Sequence, residues 1–122
     1  AIPLDWALEQ GFGHIVVVTT REKGYRKPMT SQRMVDLYSD FYAAHPRFLA
    51  ALLTMDLRYN ALMDRIDQLE TAGRIFVMRP QRPVTVGRLE KDRDKLLALV
   101  NEGRAEARDS LPALQEYLSR SL

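Results

Sequence analysis

The sequence predicts a helix-rich α/β fold in which two buried, parallel strands are covered by about five helices. Two short runs, residues 15–20 and 74–79, are rich in apolar β-forming residues and lack polar alternation, which is typical of strands buried on both faces. Helical patterns separate the two runs, and helical crossovers join parallel strands. The 122 residues, 46% hydrophobic and 28% charged, suit a single globular domain.

A short helix, the first strand and a charged loop are predicted at the amino-terminal end. Pro3 suits the first turn of a helix that passes through Leu8, and Gly11 is a natural left-handed terminator. Residues 15–20 form the first strand. Residues 21–28 combine charge with Gly and Pro, so we expect them to form a loop that leaves the carboxyl end of this strand.

Two helices are predicted between the strands. Thr30 or Ser31 can cap the first, and the pair His45-Pro46 interrupts it. Residues 48–69 carry apolar side chains at spacings of three or four, which predicts one uninterrupted helix of more than six turns. This helix is expected to end near a glycine, Gly73.

The second strand, residues 74–79, is expected to stop at Pro80 because proline cannot donate a hydrogen bond to a sheet. Residues 80–87 are too rich in Pro and Gly for a helix, which favours an extended connection with a short strand pairing at residues 84–86. Two further helices complete the prediction.

The first of these two helices is predicted to open at Asp92 or Asp94. A separate one is predicted to start at Ser110 and Pro112, since proline is favoured in a first helical turn.

Two strands make an incomplete sheet, because each would leave an edge of unpaired peptide groups. We therefore expect further strands from sequence upstream of Ala1 or from a partner chain. The opening residues lack an initiator Met and the plan of a signal peptide, so the chain is interpreted as a cut piece.

Composition excludes several classes of function. Eighteen Lys and Arg against 16 Asp and Glu give a net charge of +2, so no nucleic-acid partner is expected. The chain has no cysteine and only two histidines, His14 and His45, which are expected to be surface or capping residues; no metal site or cofactor is predicted. The sequence lacks both a Gly-x-Ser-x-Gly elbow and a phosphate-binding loop. The carboxylate pairs Asp92/Asp94 and Glu102/Glu106 are expected to form a solvated charged face.

Basic residues form the informative pattern. They follow both predicted strands, and the carboxyl ends of parallel strands lie on the side of a sheet where open α/β folds bind ligands. We interpret them as a basic rim for an anionic lipid or phosphate; the alternative is that they are solvating loop charges paired with Glu22 and Glu90. The basic rim comprises Arg21, Lys23, Arg26, Lys27, Arg79, Arg82 and Arg88.

Several stretches resemble the carboxyl-terminal part of bacterial patatin-like phospholipases. In the first half the similar stretches are Ile2-Pro-Leu4, Gly11-Phe-Gly-His-Ile-Val-Val-Val-Thr-Thr-Arg21 and Lys23-Gly-Tyr-Arg-Lys-Pro28. In the second half they are Gly73-Arg-Ile-Phe-Val-Met-Arg-Pro80 and Val84-Thr-Val-Gly-Arg-Leu-Glu-Lys-Asp92. The resemblance covers nearly the whole chain. It implies that residues 1–28 are the end of a patatin-like core and residues 29–122 a carboxyl-terminal extension of it.

The resemblance implies a larger α/β fold that cleaves acyl esters of lipids with a Ser-Asp dyad. Neither the serine elbow nor the Asp-Gly motif of that family occurs here, so no catalytic residue is assigned and this chain alone is expected to be inactive. The implied partner is a lipid or membrane surface, reached through the parent protein, in the cytoplasm or at the membrane periphery of a bacterium. The alternative is a non-enzymatic interaction module that forms a homodimer through its strand edges.

Overall fold

The computed structural model describes residues 2–121 and has five helices and two parallel strands, which confirms the predicted small α/β class. The helices are α1 (Leu4–Glu9), α2 (Gln32–Phe41), α3 (Pro46–Leu53), α4 (Met55–Thr71) and α5 (Arg93–Ser119). The strands are β1 (Val16–Val18) and β2 (Phe76–Met78). No helix within the described residues is both long and apolar enough to span a bilayer.

The chain divides into two compact units. Within the described residues, unit 1 comprises residues 26–68, and unit 2 comprises residues 2–25 and 69–121. Both strands and helices α1 and α5 belong to unit 2, whereas α2 and α3 belong to unit 1. The boundary expected at residue 28 from the family resemblance stays a prediction.

Local sequence signals set several element ends where they were expected. The hydroxyl of Ser31 accepts a hydrogen bond from the amide of Met34, so Ser31 is the cap of α2. Gly11 and Gly73 adopt φ values of +74° and +71° directly after α1 and α4, a backbone conformation that glycine reaches without steric cost.

The prediction of one long helix over residues 48–69 is wrong in one respect. The helix breaks at Thr54 into α3 and α4. Thr54 leaves the helical conformation with φ of −100° and ψ of 1°, and its hydroxyl donates to the carbonyl of Ala50 at 2.8 Å. The guanidinium of Arg58 donates to the carbonyl of Ala51 at 2.7 Å. The carbonyl of Ala50 also accepts the amide of Thr54, so the carbonyl that loses its helical partner and is satisfied by a side chain is that of Ala51.

The two helices predicted after residue 92 are a single helix, α5, in which Pro112 lies in the interior. Its amino end is capped by Asp92, whose carboxylate accepts hydrogen bonds from the amides of Asp94 and Lys95. Contacts of α5 with the rest of unit 2 lie on both sides of the proline, at Glu106 and Tyr117, and they hold the helix together despite the missing amide. The expected strand pairing at residues 84–86 is absent from the described structure.

Unit 2 has a small core around a two-stranded sheet in which Val17 pairs with Val77. Leu4, Ile15, Val17, Ile75 and Tyr117 are its buried apolar side chains. The prediction that β1 is buried on both faces is wrong for the described chain, because Val16 and Val18 are 40% and 69% exposed. Helix α5 packs against β2 and leaves this face of β1 uncovered.

Candidate functional site

The carboxyl ends of β1 and β2 lie together in unit 2, as parallel strands require. The register pairs Val18 with Met78, and the amide of Thr19 donates to the carbonyl of Met78 at 2.9 Å. The loops that carry Arg21 and Lys23 and those that carry Arg79 and Arg82 therefore leave the sheet at the same end. The structure brings together four of the seven basic-rim residues at this edge.

Arg21 and the neighbouring Glu22 bind the peptide groups of one residue in the 80–87 connection. The guanidinium of Arg21 donates to the carbonyl of Val84 at 3.1 Å, and the amide of Val84 donates to Glu22 at 3.3 Å. Arg21 also lies 4.6 Å from the ring centroid of Tyr25, a cation–π distance. Side chains from the first loop therefore replace the strand pairing that was expected at residues 84–86.

Glu70 is the acidic partner of two rim cations. Arg79, whose side chain is only 11% exposed, forms a close ion pair with the carboxylate of Glu70, and the ammonium of Lys23 lies 3.9 Å from the same oxygen. The positive charge of Arg79 is thus neutralised where water is scarce. A cleft of about 330 Å³ lies beside this triad, and it is also lined by Glu22 and Gln81.

Two carboxylates of α5 hold the start of the 80–87 connection. Arg82 donates to Glu102 at 2.9 Å, and the amide of Gln81 donates to Glu106 at 3.2 Å. The expectation that Glu102 and Glu106 form only a solvated face is wrong, since both are partly buried and bound to the connection. The side chain of Arg82 remains 77% exposed despite this ion pair.

The remaining rim residues are distributed differently. Arg88 is exposed and makes no ion pair with any residue in the described range 2–121. Arg26 and Lys27 belong to unit 1, where Arg26 binds Asp64 at 2.7 Å and Asp67 at 3.0 Å.

The pKa of Arg26 lies above its ordinary value. Partial burial alone would lower it, but the hydrogen bonds and the negative charge of Asp64 and Asp67 outweigh this desolvation. Lys27 is held through its peptide group, which exchanges hydrogen bonds with the side-chain amide of Asn60, and its ammonium lies 4.6 Å from the ring centroid of Tyr59. These contacts stabilise the entry of the chain into unit 1.

Most of the predicted basic rim is therefore engaged inside its own unit, and the partners differ from the expected Glu22 and Glu90. Glu22 binds the amide of Val84, and Glu90 binds the amide of Asp92. Sequence reasoning missed Glu70 because its position on α4 was interpreted only through the apolar residues of that helix. The three rim cations of unit 2 that keep largely accessible side chains are Lys23, Arg82 and Arg88.

Four of the serine hydroxyls within residues 2–121 are engaged with backbone groups. The hydroxyls of Ser39, Ser110 and Ser119 donate to backbone carbonyls of their own helices, and Ser31 caps α2. His14 forms a 3.1 Å hydrogen bond with the carbonyl of Arg120, whereas His45 is exposed. The described part of the chain also has no group of three His, Asp or Glu residues that could hold a metal ion.

The chain matches a protein-family model, whereas no curated protein and no solved structure matches it. The family is described as a domain of unknown function, DUF6363, and its model matches residues 45–119. The match begins at the residue before α3 and ends at the last residue of α5, so it includes α4, β2 and the connection held by Glu102 and Glu106. Because it spans more than half of the sequence, the chain belongs to the DUF6363 family.

Proposed function

We propose that this chain is the carboxyl-terminal, non-catalytic portion of a patatin-like lipid acyl hydrolase. The proposal starts from the residue resemblance described above, which extends over β1, the charged loop and the stretch from β2 to Asp92. The single structural observation that supports it best is the free outer edge of β1. The catalytic Ser-Asp dyad would belong to the part of the parent protein that precedes this chain.

The outer edge of β1 has peptide groups ready for another strand. The carbonyl of Ile15 accepts a hydrogen bond from the amide of Phe76, and the amide of Thr19 donates to the carbonyl of Met78, both toward β2. Because the direction alternates along a strand, Val16 and Val18 turn their amides and carbonyls to the opposite edge. No strand pairs there within the described residues, and unpaired edges of this kind are usually covered or extended in native proteins.

The side chains beside this edge are apolar and exposed. Val16 and Val18 are the exposed residues of β1, and Val18 and Ala107 of α5 line the same shallow cleft. An exposed apolar stripe continues along α5, formed by Leu97, Val100, Leu111 and Leu118, each between 45% and 49% exposed. A strand added beside β1 and a helix laid over it would cover this surface, as in the larger sheets of α/β proteins.

The family resemblance implies which steps the rest of the proposed parent protein would catalyse and which structural elements this chain would supply. There, a serine would attack the ester carbonyl, an aspartate would act as base, and backbone amides would stabilise the oxyanion. This chain would supply the last strands of the sheet, the helices that cover them and a reduced basic rim for anionic lipid. The rim would rely on the accessible cations Lys23, Arg82 and Arg88.

Ester hydrolysis tests the proposal directly. We expect the 122-residue chain to leave a short-chain nitrophenyl ester intact, whereas the full-length gene product hydrolyses it and the variant of that product with its elbow Ser→Ala does not. Turnover by the 122-residue chain would contradict the assignment of the chemistry to another part of the protein. Absence of turnover by a folded full-length product would contradict the hydrolase assignment itself.

Vesicle binding tests the basic rim in the full-length product. Replacing Lys23, Arg82 and Arg88 together by Ala is expected to weaken binding to anionic phospholipid vesicles about 100-fold, because each cation near such a surface contributes about 1 kcal/mol. A matched control replaces three exposed arginines elsewhere, Arg33, Arg47 and Arg108, and should bind as the unmodified protein does. Equal losses in the two triple variants would argue against a defined rim.

The second candidate function is a non-enzymatic module that dimerises through the free edge of β1. It is favoured by the same exposed valines and by the apolar stripe on α5. Sedimentation of the 122-residue chain at several concentrations separates the candidates: a dimer that is lost in Val18→Lys but kept in Leu89→Lys supports the module. Leu89 is a suitable control because it is 85% exposed and lies outside the sheet. A monomer at every concentration contradicts dimerisation.

A further inference from the structure

A second concave surface of unit 2 lies at the amino ends of the strands. It is a pocket of about 320 Å³, lined by Gly13, His14, Gly73, Arg74, Tyr117, Arg120 and Ser121. Gly13 and His14 precede β1, and Gly73 and Arg74 precede β2. The pocket is therefore at the opposite end of the sheet from the basic rim, and the proposed function does not depend on it.

Arg74 supplies a fixed and uncompensated positive charge to this pocket. Its guanidinium donates to the carbonyls of Gly13 and Phe12 at 3.1 and 2.8 Å, which leaves further N–H donors of the planar group unused. No carboxylate of the described residues 2–121 pairs with it. The side chain is partly buried, so its charge lacks both a counter-ion and full hydration.

Arg120 brings a second guanidinium to the same pocket. One of its nitrogens would lie 3.5 Å from a Cβ at residue 73, an ordinary contact distance, so this group lies against Gly73. Its acidic neighbour Glu116 is 3.9 Å away, on an exposed helix surface. The imidazole of His14 packs edge-on against Tyr117 with a centroid distance of 5.3 Å and completes the wall.

We propose that this pocket binds a phosphate group, either inorganic phosphate or the phosphomonoester of a lipid headgroup. Two arginines and no carboxylate line the pocket, which matches the charge and the several acceptor oxygens of a phosphate dianion. The hydroxyl of Tyr117 does not take part, because it is already bonded to Ile15 and Arg74. The ligand instead meets the N–H groups of Arg74 that are not bonded to Phe12 or Gly13, together with the guanidinium of Arg120, whose 3.9 Å ion pair with Glu116 is exposed.

Phosphate titration at constant ionic strength tests this site in the 122-residue chain. We expect saturable NMR shifts of the amides of Gly13 and Gly73, and at least about tenfold weaker binding in Arg120→Met, since a charge-assisted contact to the anion is lost. Arg108→Met, which removes an exposed arginine of α5 outside the pocket, should bind phosphate as the unmodified chain does. Phosphate shifts no larger than those given by chloride would overturn the proposal.

The choice of variant and a vesicle-binding comparison complete the test. Arg74→Met also removes the bonds that hold Phe12 and Gly13, so the variant can fail to fold; Arg120→Met, whose side chain is 56% exposed, does not carry that risk. Phosphatidylcholine vesicles with and without phosphatidic acid distinguish the two sources of phosphate. Binding of phosphatidic acid that Arg120→Met abolishes identifies a lipid headgroup, whereas shifts with inorganic phosphate alone identify a soluble ligand. Retention of both by Arg120→Met would refute the site.

Discussion

Replacing Tyr117 by Ala is expected to lower the free energy of unfolding by about 3–5 kcal/mol, the range for large aromatic residues in a core. The ring is only 4% exposed and lies 5.8 Å from the ring of Phe76. The hydroxyl accepts a hydrogen bond from the amide of Ile15 at 3.0 Å and donates to the carbonyl of Arg74 at 2.9 Å. One side chain near the end of α5 thus holds the starts of both strands, and urea denaturation measures its loss.

Tyr117→Phe is the matched control for the hydroxyl. It keeps the ring and leaves the amide of Ile15 without its partner, so we expect a cost of about 1–3 kcal/mol. The difference between the two variants reports the packing of the ring. A cost below about 1 kcal/mol for Tyr117→Ala would mean that α5 does not close the sheet as described, because no buried aromatic is removed so cheaply.

Pro112→Ala is expected to raise the free energy of unfolding by about 1–3 kcal/mol. Proline in a helix interior costs about 3 kcal/mol relative to alanine, and part of the gain is offset because alanine leaves the unfolded chain more flexible. Alanine would restore an amide that can donate to the carbonyl of Arg108, four residues earlier in α5. Denaturant unfolding and the helical circular dichroism signal both report the change.

Pro46→Ala provides the control for this prediction. Pro46 opens α3, a position where the missing amide costs nothing and the fixed φ angle is favourable. We expect its replacement to leave stability unchanged or to lower it by about 0.5–1 kcal/mol. If Pro112→Ala behaved in the same way, Pro112 would be the start of a separate helix and the continuous α5 would be wrong.

The sequence predicts at which end of the sheet the candidate site lies, but it does not predict the partners of the site's residues. The pattern of residues 15–20 and 74–79 indicated two strands with a helical crossover, and that topology alone places Arg21, Lys23, Arg79 and Arg82 at one edge. Which carboxylate neutralises each cation depends on contacts between residues that are far apart in sequence. Arg82 and Glu102 are separated by 20 residues, and Arg26 and Asp64 by 38, so no local pattern reports these pairs.

The sequence alone determines the features that depend on a signal between residues a few positions apart. Ser31 caps α2 because its hydroxyl reaches an amide three residues away, and Gly11 ends α1 because its backbone tolerates a positive φ. The parallel α/β class follows equally from short-range patterns. The break at Thr54 was not predicted, although its hydrogen bonds are local ones to the carbonyls of Ala50 and Ala51. Tertiary structure decided the continuity of α5 through Pro112 and the exposure of Val16 and Val18. In α5, contacts with distant segments outweigh a local preference of about 3 kcal/mol against proline in a helix interior, whereas Val16 and Val18 are exposed because no described segment covers them.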